Sequence, residues 1–180
     1  MIAETAATAA EHTVLSTRLG ELTIRREAGA LTGLYFPRHW PAPDRAGFGP
    51  RTDDGFGEVA RQLDEYLAGE RTAFDLPVLA RGSRFDRRVW DLAARVPYGR
   101  TTTYGDIARR LGGGVTAQEV GAAVGRNPLC ILIPCHRVIG SGGRLTGYAG
   151  GLRCKRELLA IERAGAASPR QPGQRVMIGT

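Results

Sequence analysis

Gly112-Gly113-Gly114 constrains the fold more than any other stretch of the chain. Glycine weakens a helix interior and favours its end, so three in a row stop one. Upstream, Thr103 is placed to cap a short helix over Tyr104 to Leu111. Downstream, Thr116-Ala117-Gln118-Glu119 is a capping-box pattern that opens a helix through Val120 and Val124 toward Gly125. Two short helices joined by a glycine turn are the outline of a helix-turn-helix. Helical hairpins also occur in proteins that touch no DNA. The second helix is rich in small residues: Gly121, Ala122, Ala123 and Gly125. These let its backbone approach a DNA groove or a neighbouring helix closely, and packing accounts for them equally well.

The rest of the chain divides around this hairpin. Residues 1–11 read as a flexible N-terminus without the basic start and apolar core of a signal peptide. Short strands are expected over His12 to Arg18, Glu21 to Arg26 and Ala30 to Phe36, then a loop from Pro37 to Asp54. Phe56, Val59, Leu63, Tyr66 and Leu67 recur at helical spacing and end at Gly69. Residues 12–80 therefore read as a small α+β unit with a structural role and no site motif of its own. Leu76 to Gly82 is a linker, and residues 81–165 form a second, mostly helical domain. Its first helix follows Ser83, with Phe85, Val89, Trp90 and Ala93 inward, and ends at Val96-Pro97-Tyr98-Gly99. Its last helix spans Arg153 to Arg163, with Leu158, Leu159 and Ile161 inward. The tail from Ala164 is rich in Gly, Pro, Arg and Gln, and residues 166–180 are expected to be flexible.

Charge is split between these halves. Residues 1–80 carry 8 Lys/Arg against 12 Asp/Glu, and residues 81–180 carry 17 against 6, for the net charge of +7. A basic second half suits a polyanion such as DNA, or is simply a solvated basic surface. No apolar run approaches the roughly 20 residues of a membrane span, and cytoplasmic residence is the expectation. The three cysteines, Cys130, Cys135 and Cys154, form no disulfide framework and match no zinc spacing. Reduced thiols are expected, with no metal and no cofactor.

The chemistry concentrates in Ile133-Pro134-Cys135-His136-Arg137-Val138, which follows Asn127-Pro128 and the strand-like apolar run Leu129 to Ile133. A thiol beside an imidazole and a guanidinium is a candidate nucleophile, because the thiolate is the reactive form and positive charge favours it.

Pro134-Cys135-His136-Arg137-Val138, preceded by Gly125-Arg126-Asn127-Pro128 and followed by Gly147-Tyr148-Ala149-Gly150-Gly151, resembles the O6-alkylguanine-DNA alkyltransferases. Val96-Pro97-Tyr98-Gly99-Arg100 and Thr103-Tyr104-Gly105-Asp106-Ile107-Ala108 match that family too. The strong similarity covers roughly residues 83–163. It implies an α+β fold: a small ribonuclease H-like N-terminal α/β domain, then a mostly helical, winged helix-turn-helix-like domain. It also implies a monomer that binds double-stranded DNA through the minor groove and flips out an O6-alkylguanine. The alkyl group then passes irreversibly to Cys135, with O4 of thymine as a further substrate atom, and each molecule reacts once.

The same resemblance assigns roles. His136 deprotonates the thiol through a water, and Glu162 orients His136. Tyr104 donates to the base, and Asn127 braces the turn. Val138 offers its carbonyl to the base, while Gly147, Tyr148, Ala149 and Gly150 wall the pocket. Thr103, Ala117, Gln118, Gly121, Ala122 and Arg126 fall on the DNA side. Read without the resemblance, Glu162 is a solvated helix residue, Tyr104 and Tyr148 are half-buried aromatics, and Asn127 is a turn former.

One position departs from the family pattern. Gln118 stands where the family carries an Arg that fills the gap left by the flipped base. Gln can occupy space and hydrogen-bond, but it lacks the charge and stacking plane of Arg. A binder that flips the damaged base without repairing it is the alternative reading. It conflicts with the presence of Cys135, because such proteins carry another residue there. A Cys-His-Glu hydrolase and a transcription factor with an incidental Cys are the other readings.

Overall fold

In the computed structural model, residues 9–167 are described; the expected flexible ends fall largely on residues 1–8 and 168–180, outside that range. The first three strands are β1 (Glu11–Thr17), β2 (Gly20–Glu27) and β3 (Ala30–Tyr35), paired antiparallel in that order. Glu11 opposes Arg26, so the ordered chain begins earlier than its composition suggests. Alternation puts Leu22 and Ile24 of β2 on the buried face. At the β2–β3 turn Ala28 and Gly29 both have positive φ, 48° and 78°, the twist that a two-residue hairpin requires.

The outer edge of β3 is not left open. Leu31 donates its N–H to Pro77 O and accepts from Leu79 N, both at 2.8 Å. Leu34 donates to Pro128 O at 2.8 Å. The expected linker thus covers a sheet edge, and the second half of the chain covers the rest. Helix α1 (Gly57–Leu67) buries Val59, Leu63, Tyr66 and Leu67. Within the expected loop 37–54, Asp44 caps a 3-10 turn over Arg45–Phe48.

The second half carries α2 (Arg84–Ala94), α3 (Tyr104–Leu111), α4 (Ala117–Gly125) and α5 (Gly151–Ala166). Ser83, Thr103 and Thr116 each form a full capping box, with Asp86, Asp106 and Glu119 as the returning carboxylates. Two of the three boxes use the shorter Asp, which still reaches the cap N–H. Gly112, Gly113 and Gly114 all take positive φ (68°, 64°, 75°), so α3 and α4 are separate helices, as the triple glycine demands. Trp90 of α2 donates its indole N–H to Ala123 O at 2.8 Å and holds α4 in place. A two-residue parallel ladder, β4 (Thr102–Thr103) with β5 (Val138–Ile139), ties the start of α3 to the cysteine segment.

Two expectations fail locally. Leu129 to Ile133 is no strand but a buried double turn, described below. On α5 the inward residues are Cys154, Lys155, Leu158, Leu159 and Glu162; Ile161 is only half-buried, and the helix runs past Arg163 to Ala166. One apolar core runs through both halves, from Leu22 and Leu34 across Trp90 to Ile133 and Leu158.

Candidate active site

The thiol is set by backbone geometry. Ile131 has φ 72°, unusual for a β-branched residue, at the centre of a turn closed by Leu132 N–H on Cys130 O at 2.9 Å. Pro134 (φ −78°, ψ 60°) centres a second such turn, closed by Cys135 N–H on Ile133 O at 2.7 Å. Asn127 braces both: its Nδ2 donates to Ile133 O at 3.0 Å and its Oδ1 accepts from Leu129 N at 3.0 Å. A strained φ of this kind costs about 1–3 kcal/mol and persists only where surrounding bonds over-determine it, as Asn127 does here. Cys135 then opens a 3-10 turn, buried at 3% exposure. Its thiol pKa is lowered, first by the Cys130 thiol 4.0 Å away, against burial, and further by Asn127 and the Lys155 charge.

The imidazole is set by charge. His136 and Glu162 are both fully buried, and His136 Nε2 donates to Glu162 Oε1 at 2.6 Å. The same carboxylate accepts Tyr66 OH from α1, Arg137 Nε at 3.0 Å and, on Oε2, the Gly99 N–H at 3.0 Å. Arg137 also donates to Val96 O at 2.6 Å. Burial pushes the Glu162 carboxyl up, but the hydrogen bond from His136, the Arg137 charge and the Tyr66 hydroxyl outweigh it and hold it at about 2. Burial pushes His136 down, so its ring is neutral near pH 7. With the Nε2 proton committed to Glu162, Nδ1 is a bare lone pair; it is buried and has no partner among the described residues. No His136–Cys135 hydrogen bond is present among the described residues.

Lys155 shapes the remaining wall. It is fully buried on α5 and donates to Val138 O and Thr146 O at 2.8 Å and to Gly147 O at 3.2 Å. Burial lowers its pKa to about 8. Val138 therefore presents its carbonyl to an ammonium here. The Lys155 Nζ also sits 5.8 Å from the centroid of the Tyr104 ring. The Tyr104 phenol is half-buried, its pKa raised by burial, lowered by the Thr146 hydroxyl and raised by Cys135. Tyr148 packs edge-on against Phe36 (5.5 Å) and His136 (6.3 Å), with its hydroxyl buried and without a partner among the described residues. Gly150 is required sterically, since a Cβ there would lie 2.7 Å from the Phe36 ring. Ala149 is half-buried against the core and Gly147 is exposed.

On the outer side, α4 buries Val120, Ala123 and Val124 and exposes Ala117, Gln118 and Ala122. Gly121 faces Tyr104, where a Cβ would touch the ring at 3.8 Å. Thr103 is the α3 cap, with its hydroxyl bonded to Asp106. Arg126 is paired with Asp86 at 2.6 Å, so its guanidinium is already engaged at the far end of α4 from Gln118.

Sequence reasoning placed Cys135, His136, Glu162, Asn127, Tyr104, Val138 and Tyr148 together; His136 bonds Glu162 and packs against Tyr148, Asn127 bonds Ile133 O two residues before Cys135, and Lys155 lies against both Val138 O and the Tyr104 ring. It missed Tyr66, Arg137 as a ligand of Glu162, Cys130 and Lys155. Lys155 carried a signal: it is the single Lys among 25 basic residues. A compact ammonium with three donors fits three converging carbonyls where the planar Arg fork does not. No group of three or more potential metal-ligating side chains occurs among the described residues.

The family model for the ribonuclease-like domain of 6-O-methylguanine DNA methyltransferase matches residues 11–80, and that for its DNA binding domain matches residues 84–164. A methylated-DNA–protein-cysteine methyltransferase of Mycolicibacterium paratuberculosis is 44% identical over 155 residues, covering 85% of this chain and 92% of the relative. One from Methanosarcina barkeri is 49% identical over 107 residues, 59% of this chain and 68% of the relative. The crystal structure of Mycobacterium tuberculosis OGT in complex with DNA superposes with a TM-score of 0.79 at 40% identity, covering 86% of this chain and 94% of that one. The Mycobacterium tuberculosis O6-methylguanine methyltransferase structure gives 0.80 at 38%, covering 90% and 96%.

Proposed function

The chain belongs to the 6-O-methylguanine DNA methyltransferase family and acts in direct-reversal DNA repair by alkyl transfer to cysteine; from that premise we propose that the accepting residue is Cys135. The observation that carries this reading is the His136–Glu162 pair, which fixes the imidazole as a neutral base with Nδ1 free beside the thiol segment. The thiol proton passes through a water to His136 Nδ1. The thiolate attacks the alkyl carbon bound to O6, the sulfur–carbon bond forms and the carbon–oxygen bond breaks. The guanine leaves with the electron pair, helped by a hydrogen bond from the Tyr104 hydroxyl. Displacement at saturated carbon needs a soft, strong nucleophile, which the thiolate supplies. The thioether is stable, so each molecule turns over once.

The substrate is O6-alkylguanine in duplex DNA, flipped out of the stack into the space between Cys135, Tyr104 and Tyr148. The small outer face of α4 lies in the minor groove, with Gln118 at the gap, and basic charge in the second half holds phosphates. We assign a monomer acting in the cytoplasm; no helix among the described residues is long and apolar enough to cross a membrane.

Incubation with duplex DNA containing O6-methylguanine, followed by intact mass, tests the assignment. One added methyl is expected on the parent and none on Cys135→Ala. Tight lesion binding with no adduct overturns it. Gln118→Arg is expected to react faster than the parent on duplex DNA and equally fast with free O6-methylguanine. Equal duplex rates refute the role of Gln118.

A further inference from the structure

The cysteine pair, rather than Cys135 alone, is the unusual chemistry of this site. The two γ-type turns between Cys130 and Cys135 fold the chain back so that the sulfurs lie 4.0 Å apart, both buried. Cys154 is elsewhere, its sulfur on Leu19 O. A disulfide needs the sulfurs at about 2.05 Å, so the pair has about 2 Å to close.

We propose that Cys130 is a resolving thiol, which captures an oxidised Cys135 as a reversible Cys130–Cys135 disulfide. The oxidant is a hydroperoxide, small enough to enter where a base must. The Cys135 thiolate attacks the peroxide, the O–O bond breaks, hydroxide leaves and Cys135 becomes a sulfenic acid. The Cys130 sulfur then attacks the Cys135 sulfur, the S–S bond forms and the S–O bond breaks. The departing hydroxide takes the Cys130 proton and leaves as water. Two thiols lose two electrons, and one hydroperoxide is reduced to water and, for hydrogen peroxide, a second water.

The order of events follows from the pair's electrostatics. While Cys135 is a thiolate, its hydrogen bond, with burial, keeps the Cys130 thiol protonated. Conversion of Cys135 to a neutral sulfenic acid removes the Cys135 charge that, with burial, raises the Cys130 pKa, so Cys130 is a better nucleophile after Cys135 has been oxidised than before. The disulfide stops oxidation short of the irreversible sulfinic acid. That it withholds activity rests on Cys135 being the alkyl acceptor; the bond itself does not.

The reduced full-length protein is treated with a small excess of hydrogen peroxide, more than the two equivalents that a sulfinic acid consumes, then denatured, blocked with N-ethylmaleimide and mapped. Two of the three thiols are expected to escape blocking, in a linked Cys130–Cys135 peptide, with methyl transfer lost and then fully restored by dithiothreitol. In Cys130→Ser and Cys130→Ala the same treatment is expected to carry Cys135 to the sulfinic acid, and dithiothreitol restores nothing. Three blocked thiols in the treated parent, a link to Cys154, or equal recovery in the Cys130 variants overturns the proposal. The mapping of the parent decides it even if a variant fails to fold. Absence of transfer in the untreated, reduced parent refutes the acceptor assignment instead and leaves the mapping result standing.

Discussion

The thiol and its base are adjacent in the chain but are held by opposite means. Cys135 stands on neutral, local hydrogen bonds within residues 127–135, and one of its supports is a strained isoleucine. His136 stands on a buried charge cluster drawn from three distant places: Tyr66 on α1, Gly99 after α2, and Glu162 on α5. Local bonds position the proposed nucleophile, which is itself buried. The long-range cluster keeps water off the carboxylate and locks one tautomer. The first half of the chain, expected to be structural only, therefore reaches the base through the Tyr66 hydroxyl, besides packing Phe36 on Tyr148.

The contrast can be broken most severely at its charged end. Glu162→Ala leaves Arg137, His136, Tyr66 and the Gly99 N–H without their acceptor, and stability by urea denaturation should fall by about 3–5 kcal/mol, with transfer lost. Glu162 has a folded pKa of about 2 against an ordinary 4.5. Its contribution is therefore complete above pH 4.5 and lost as pH falls toward about 2; the gap between parent and Glu162→Gln should shrink over that window. At the neutral end, Asn127→Ala orphans the buried Leu129 N–H and leaves Ile133 O with only the Cys135 N–H, which should cost about 1–3 kcal/mol and slow transfer. Tyr66→Phe removes one donor while its ring stays packed, so a loss of about 1–2 kcal/mol is expected, with a slower rate measurable on duplex substrate.

The fourth expectation concerns charge at the thiol itself. Lys155 stabilises the thiolate only while protonated, so transfer rate should decline as pH rises through about 8. Lys155→Arg should abolish that descending limb, even if its basal rate is lower, because Arg stays charged. The smallest effect is expected at the α4 cap. Thr116→Ala should cost about 1 kcal/mol and leave reaction with free O6-methylguanine unchanged. A Thr116 effect as large as that of Glu162 would contradict the division between a scaffold set by local signals and a base set by buried charge.

Legibility in the sequence followed the same division. The helices were readable because their signals are local: a Ser or Thr cap, a carboxylate three residues on, and glycines at the end. Cys135-His136 was readable because the pair is contiguous. Tyr66 was not, because the bond it makes spans 96 residues and leaves no period or spacing behind. Glu162 looks like any solvated helix residue until a partner 26 residues away is known to face it. Leu129 to Ile133 was misread as strand-like because an apolar run reports burial, not backbone conformation. Its hydrogen bonds go to Asn127, the Pro128 carbonyl partners Leu34, and Ile131 adopts a conformation that side-chain type argues against.

The span of the Glu162 cluster has a consequence for synthesis. Helices α2 to α4, built on close contacts, can form as they leave the ribosome, whereas contacts distant in sequence close late. Tyr66, Cys135 and His136 are all made before Glu162. A nascent chain thus carries its thiol for some time without the carboxylate that orients the imidazole. The His136–Glu162 pair that we propose as the base forms only when α5 docks, which ties the single use of the thiol to a finished chain.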